Sequence, residues 1–178
     1  MRKSILFALV ITLSPPVMAT LTVGFSPATT DQQSALEVVL STINGAKRSV
    51  DVAAYSFTSK PIAAALVAAK NRGVSVRVVA DEKANNDRYT AVTFLANQSV
   101  PVRLNARYAI MHNKFMVVDG DTVQTGSFNY TASANSRNAE NALLVQNAPA
   151  LAGTYQAEFN RLWSESIAQT SQDRKSVV

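Results

Sequence analysis

The fold class can be predicted from residues 49–80, which have the sequence SVDVAAYSFTSKPIAAALVAAKNRGVSVRVVA. Two runs rich in β-forming apolar residues, Ser49 to Tyr55 and Val74 to Ala80, are predicted to be strands. The segment between them has Pro61 near its start and Gly73 after its end, which is typical of a helix. A strand–helix–strand unit connects its strands by a crossover, so these two strands are expected to lie parallel in one sheet.

The rest of the chain adds similar patterns around this unit. Asp119-Gly120-Asp121 lies between two short apolar runs, which predicts a β-hairpin. The pattern favours one α/β domain with a mixed, largely parallel sheet of about seven strands flanked by helices. Further strands are predicted at Leu21–Phe25, Val100–Leu104, Phe115–Val118, Thr122–Thr125 and Asn141–Gln146, and further helices from the cap Asp31 to Gly45, at Tyr89–Asn97 and at Ala150–Ile167.

Composition limits the chemistry that the chain can perform. A length of 178 residues with 47% hydrophobic residues is typical of one folded domain. The chain contains no cysteine, which excludes disulfides, a thiolate nucleophile and a cysteine-based zinc site. It contains one histidine, His112, so one subunit cannot build a histidine-rich metal site.

Residues 1–19 have the pattern of a signal peptide. A basic start at Arg2 and Lys3 precedes a short apolar stretch, a Pro-Pro break and small or apolar residues ending at Ala19. We expect cleavage near Thr20, a periplasmic or secreted protein, and no stable membrane association afterwards. The predicted organisation is therefore a signal peptide at 1–19, one domain at 20–170 and a flexible tail at 171–178.

Net charge adds a weak indication of the partner. The formal charge is +5, and two of these charges lie in the leader, so the mature chain is mildly basic. A mildly basic chain favours an anionic partner without identifying it.

His112 and Lys114 lie in the stretch MHNKFMVVD, residues 111–119. On an extended strand, side chains two residues apart project to the same face. An imidazole can attack phosphorus or move a proton, while a neighbouring ammonium holds the non-bridging oxygens. This pair therefore indicates a site that cleaves phosphate esters.

The downstream residues complete a recognisable signature. Ser127 and Asn129 share a strand face and can donate to the same phosphate oxygens, and Glu140 follows eleven residues after Asn129. Together with the H-x-K-x4-D motif from His112 to Asp119, this order resembles the HKD signature of the phospholipase D superfamily. A single motif in a short chain is most similar to the small bacterial endonucleases of that family. The resemblance implies an α/β/α sandwich that acts without a metal or another cofactor.

The resemblance also implies a mechanism. In this superfamily one histidine attacks phosphorus to form a phosphohistidine, and a second histidine protonates the leaving oxygen. Because this chain has only His112, the second imidazole must come from another subunit. We therefore expect a symmetric homodimer with one composite site, in which Lys114 and Asn129 from both subunits bind the phosphate.

Two acidic residues have different expected roles. Glu140 is expected to accept a hydrogen bond from the His112 ring, which would fix its tautomer and stabilise the imidazolium. Asp119 belongs to the signature, but its odd separation from His112 points it away from the site. We interpret Asp119 as structural, bonding nearby backbone or a cation.

Three functions remain open on this sequence. The first is an endonuclease on DNA, with RNA as an alternative and with little sequence specificity. Arg103, Arg107 and Arg137 could then line a groove for the phosphate backbone. Tyr108 and Tyr130 could stack on bases. The second is a phospholipid hydrolase, which needs an apolar surface near the site that the sequence does not reveal outside the leader. The third is an inactive nucleic-acid-binding module, against which the intact histidine and lysine argue.

Overall fold

The computed structural model describes residues 18–87 and 90–169. Residues 1–17 of the predicted signal peptide and the whole predicted tail lie outside this range.

The domain is built on one eight-stranded sheet with the order β1-β7-β6-β5-β2-β3-β4-β8. The predicted strand–helix–strand unit lies near its centre, where β2 and β3 pair in parallel. The strands are β1 (Thr20–Ser26), β2 (Ser49–Ala54), β3 (Ser75–Asp81), β4 (Val102–Asn105), β5 (Phe115–Val118), β6 (Thr122–Gly126), β7 (Glu140–Gln146) and β8 (Ile167–Ala168).

The sheet confirms the α/β class and the mixed pairing, but the prediction of a largely parallel sheet is wrong. Only β2–β3 and β3–β4 are parallel, whereas the other neighbouring pairs are antiparallel. The reason is that β5 lies antiparallel beside β2, and the hairpin at Asp119 then returns the chain as β6. Strand β8 is also a departure, because Ile167 was expected to end the last helix and instead pairs with β4.

Within the described residues, five α-helices flank the sheet: α1 (Ala35–Gly45), α2 (Lys60–Asn71), α3 (Ala91–Asn97), α4 (Ala132–Ser136) and α5 (Pro149–Ser164). Helix α1 is capped by Ser34 rather than by the expected Asp31. The Ser34 hydroxyl accepts from the Glu37 N–H while the Glu37 carboxylate accepts from the Ser34 N–H, a reciprocal capping box. The short helix α4 was not predicted.

Two apolar layers separate the helices from the sheet. Helices α1, α2 and α3 pack on one face, and α5 packs on the other, where Phe159 and Leu162 belong to the same buried cluster as Val79 and Val117. Complete burial of a side chain such as Phe159 contributes about 1.5–3 kcal/mol. The layers give the expected α/β/α arrangement.

Helix α5 leaves one margin of its sheet face uncovered. On the edge strand β1, the alternating residues Leu21, Val23 and Phe25 are 67%, 47% and 44% exposed. Their partners on β7 are Val145, Leu143 and Asn141. We call Leu21, Val23 and Phe25 the apolar stripe.

Candidate active site

Several chain segments meet at one end of the sheet because their strands pair in antiparallel register. Ala53 near the end of β2 pairs with Phe115 at the start of β5. Phe115 also pairs with Thr125, and Gly126 at the end of β6 pairs with Ala142 of β7. The register therefore gathers at one sheet end the residues that extend just beyond these pairs: Tyr55, His112, Lys114, Ser127 and Glu140.

His112 and Lys114 precede β5 instead of lying within it, because regular pairing begins at Phe115. The His112 side chain is exposed, and Lys114 is partly buried. The Lys114 ammonium donates to the backbone carbonyl of His112 at 2.8 Å. The cation therefore lies beside the histidine, although a hydrogen bond and not a shared strand face brings the two together.

The environment of Lys114 acts on its charge in two directions. Burial lowers the pKa of the Lys114 ammonium below its usual value, and the negative charge of Glu140 partly opposes that shift. A desolvated ammonium gains more from an anionic ligand than a fully hydrated one. Lys114 is thus suited to bind a phosphate oxygen.

Tyr55, which immediately follows β2, is a site residue that the sequence interpretation missed. Its ring centroid lies 4.7 Å from that of His112, and the Lys114 Nζ lies 5.4 Å from it. The available signal was its position at the carboxyl end of an apolar strand in an α/β sheet, where ligands commonly bind.

A buried polar cluster anchors the segments that carry Tyr55 and His112. The Asp81 carboxylate accepts from the Met111 N–H at 2.7 Å. The Asn85 amide donates to the Tyr55 carbonyl at 2.6 Å and accepts from the Phe57 N–H at 3.0 Å. Asp81 and Asn85 are 2% and 1% exposed, so these bonds are made away from water.

Ser127 and Glu140 are joined to each other. The Ser127 hydroxyl donates to the Glu140 carboxylate at 2.5 Å and accepts from the Asn141 N–H at 3.0 Å. Asn138 donates to the other Glu140 oxygen at 3.2 Å. Within residues 18–87 and 90–169 no hydrogen bond joins Glu140 to His112. The orienting role of Glu140 stays a prediction, and phosphate binding by Ser127 would require its bond to Glu140 to open.

Asn129 lies between β6 and α4, next to Tyr130. Tyr130 forms a parallel bridge with Phe57, which brings this segment close to the end of β2. The Asn129 Oδ1 is buried and has no hydrogen-bond partner among the described residues. Buried acceptors are usually satisfied, so this amide has unused capacity for a ligand or water. Its phosphate-binding role stays a prediction.

Asp119 lies at the opposite end of β5 from the histidine. Its carboxylate accepts from the backbone N–H groups of Lys47, Arg48 and Ser49 at 2.8, 2.6 and 2.9 Å. Partial burial by itself would raise the pKa of the Asp119 carboxyl, but these bonds and the Arg48 charge outweigh it, and the pKa is lowered. Asp119 thus joins the start of β2 to the β5–β6 turn and lies outside the site.

A cavity of about 380 Å³ opens beside His112. The Tyr108 hydroxyl in its wall donates to Glu165 at 2.6 Å, and Arg161 is paired with Glu158 at 2.6 Å. The cavity could hold a substrate portion next to the imidazole. Its lining residues are Tyr108, Ile110, Met111, His112, Asn113, Arg161 and Leu162.

The other residues considered for nucleic-acid contact have mixed positions. Tyr130 is completely buried and bonds Gln124, so stacking on a base is excluded for it. Arg103 packs over Trp163, and Arg107 lies 3.8 Å from Glu165. Arg137 is exposed in the segment that leads to Glu140. Of the three arginines predicted to line a groove, it therefore lies nearest in sequence to a residue of the candidate site.

Clustered metal ligands and membrane-spanning helices are both absent from the described residues. No group of three or more histidine, cysteine, aspartate or glutamate side chains lies close enough in this part of the chain to hold a metal ion. No helix within the same ranges has the length and apolar character needed to cross a bilayer.

Comparisons with known proteins agree with the motif. Residues 39–163 match the family model described as cardiolipin synthase, PLD-like domain. The chain is 34% identical over 165 residues to a mitochondrial cardiolipin hydrolase of Xenopus laevis, a match that covers 93% of this chain and 78% of that protein. It is 35% identical over 113 residues to a phospholipase D of Rickettsia bellii, covering 64% of this chain but only 56% of that protein.

The fold comparison gives a similar result. The crystal structure of Nuc from Salmonella typhimurium, described as a phospholipase D family member, superposes with a TM-score of 0.82 and 40% identity. The superposition covers 86% of this chain and all of that one.

Proposed function

This chain belongs to the phospholipase D superfamily of phosphodiesterases, and we propose that it hydrolyses nucleic-acid phosphodiester bonds without a metal ion, at a site shared by two copies. The observation that carries the proposal is the exposed His112 imidazole with the Lys114 ammonium held beside it. Together they offer a nucleophile and a cation to one phosphate.

The proposed reaction has two steps, formation of a phosphohistidine and its hydrolysis. A neutral His112 forms a P–N bond as the bond from phosphorus to the leaving oxygen breaks, and the partner's His112 gives its proton to that oxygen. The partner's His112, now neutral, then takes a proton from water as the water oxygen attacks phosphorus and the P–N bond breaks. Lys114 and Asn129 stabilise the negative charge on the non-bridging oxygens throughout.

Site sharing is supported by the histidine count and by exposure. The chain has one histidine in total, and the mechanism needs two imidazoles. Because His112 is exposed at an open end of the sheet, a second copy can approach it across a two-fold axis.

Nucleic acid is the preferred substrate because the motif resembles that of single-motif bacterial endonucleases. The 40% identity to Nuc along the whole of that chain supports the same choice. Contacts made to phosphate alone carry no base information, so we expect cleavage of many sequences.

A phospholipid substrate is the second candidate, and specific observations favour it. Two of the relatives, a cardiolipin hydrolase and a phospholipase D, have names that describe action on lipids. A phospholipid hydrolase was expected to need an exposed apolar surface, which the sequence did not reveal. The apolar stripe on β1 is such a surface. A protein that works at a membrane surface needs such a face.

A plasmid-nicking assay with excess chelator tests the proposal. We expect nicking to persist in chelator and to fall by about 1,000-fold or more in His112→Ala, because nucleophile and proton donor are lost together. Asn44→Ala, at an exposed position on helix α1 outside the site, is the control and should leave nicking unchanged. Loss of nicking on chelation would refute the metal-free mechanism. Conversion of cardiolipin in vesicles to phosphatidic acid and phosphatidylglycerol, without nicking, would select the lipid substrate.

We also propose export of the mature chain to the periplasm or medium. Strand β1 begins at Thr20, directly after the predicted cleavage position, which supports a domain boundary there. N-terminal sequencing of the protein recovered outside the cytoplasm should begin near Thr20, and an intact Met1 would contradict the proposal.

A further inference from the structure

We propose that Tyr55 is a positioning residue of the active site, with a ring that holds the His112 imidazole and the Lys114 ammonium in the arrangement needed for attack on phosphorus. This inference rests on the proposed phosphodiesterase function and adds a residue outside the HKD signature.

Each of the three residues contacts the other two. The rings of Tyr55 and His112 have centroids 4.7 Å apart and are tilted by 58°, which is a favourable aromatic arrangement. The Lys114 Nζ lies 5.4 Å from the Tyr55 centroid, within the range of a cation–π contact. Lys114 closes the triangle through its hydrogen bond to the His112 carbonyl.

The histidine needs such support because its own segment is irregular. Residues 111–114 form no strand or helix, and the His112 side chain is exposed. An exposed imidazole on an irregular segment can adopt several rotamers, and most of them point the nucleophilic nitrogen away from a bound phosphate. The Tyr55 ring occupies one side of the imidazole and removes part of that freedom.

Tyr55 itself is held firmly. Asn85 bonds the Tyr55 carbonyl and the Phe57 N–H, and it also donates to the backbone carbonyl of Asp81 at 2.8 Å. The Asp81 side chain holds the Met111 N–H, next to the histidine. One buried cluster therefore fixes both the backbone that carries the Tyr55 ring and the segment that the ring supports.

The ring, and not the hydroxyl, supplies this function. The Tyr55 hydroxyl has no hydrogen-bond partner within the described part of the chain, whereas its ring makes both contacts to the site. Tyr55→Phe should therefore keep most of the activity and Tyr55→Leu should not.

The test compares Tyr55→Leu, Tyr55→Met and Tyr55→Phe on bis(p-nitrophenyl) phosphate, a small diester that reports the chemistry without nucleic acid or lipid. Leu and Met should lower kcat by about 100-fold, with a smaller change in KM, because the nucleophile is misplaced. Phe should restore kcat to near that of the native protein. Phe94→Leu, at a half-exposed aromatic position on α3, is the matched control.

Proton NMR reports whether the Tyr55 ring lies against the imidazole in solution, and the kcat comparison then shows whether that contact positions the nucleophile. His112 is the only histidine, so its ring protons are assigned without labelling. Their ring-current shift should disappear in Tyr55→Leu and Tyr55→Met and persist in Tyr55→Phe.

The outcomes separate the two proposals. The role of the ring would be overturned by an unchanged kcat, or an unchanged histidine shift, in both Tyr55→Leu and Tyr55→Met. It would also be overturned if Tyr55→Phe were as impaired as Tyr55→Leu. A native protein that cleaves no diester would refute the proposed function and with it the positioning role, even where the NMR shift still showed the ring contact.

Discussion

Lys114 carries a positive charge in a partly buried position, and its neighbours determine how easily it keeps that charge. Burial is the larger influence and lowers the pKa of the ammonium, while Glu140 raises it. Glu140 in turn is held by Ser127 and Asn138. The pair Ser127–Glu140 therefore keeps a carboxylate near the cation that is proposed to bind phosphate.

Glu140→Gln tests this charge balance. Removing the carboxylate charge removes the influence that raises the pKa of Lys114, so the ammonium should lose its proton at a lower pH. An NMR titration of the Lys114 side chain measures this shift, and its midpoint should lie at lower pH in Glu140→Gln than in the native protein. Lys114→Arg identifies the Lys114 resonance, because that signal disappears in the variant. A midpoint that does not move would contradict the coupling.

The sequence predicted part of the candidate site. His112 and Lys114 could be named because their spacing and their residue types are local in the chain. Tyr55 was missed because its contact with His112 arises from the antiparallel register of β2 and β5, which no local pattern records. Likewise, the bond from Ser127 to Glu140 depends on the pairing of the end of β6 with the start of β7.

At the scale of the elements, local patterns predicted where strands lie but not how they pair. The strand–helix–strand unit and the Asp119 hairpin are both present as expected. The antiparallel entry of β5 beside β2 was missed because the connection from Asn105 to Phe115 carries no periodicity that sets a direction. Strand β8 was missed because Ile167 continues the apolar pattern of α5 after the helix has ended at Ser164.

Asp119 links these elements, and Asp119→Asn tests its role. The residue has a positive φ of 55°, a conformation that asparagine tolerates, so the change adds little backbone strain. It removes the charge that accepts three backbone N–H bonds, and we expect a loss of about 1 kcal/mol in the free energy of unfolding, at the low end because the carboxylate is partly exposed. Chemical denaturation measures this loss, and kcat per folded enzyme should not change.

The pH dependence of that loss follows from the lowered pKa of Asp119. A carboxyl whose pKa is lower in the folded than in the unfolded protein stabilises the fold above its usual value of 3.8. This contribution disappears as the pH falls through the folded pKa. The stability difference between native protein and Asp119→Asn should therefore be full near pH 7 and should narrow below about pH 4. A large loss of kcat in the folded variant would instead assign Asp119 to the site.

At the scale of the whole molecule, the proposed mechanism requires two copies of the chain for one active site. A single subunit supplies one imidazole at an exposed sheet end. The chemistry proposed for this site uses one imidazole to attack and another to donate a proton. When native subunits are mixed with inactive ones, activity should therefore fall further than it would if each subunit carried an independent site.

Mixed dimers of native and His112→Ala subunits measure this most directly. Equal amounts are co-refolded, subunit exchange is verified with two different affinity tags, and the diesterase rate is compared with that of the native protein at the same total concentration. We predict a rate of about one quarter, the fraction of dimers with two native subunits. A rate of about one half, or full activity from a monomer, would contradict the shared site.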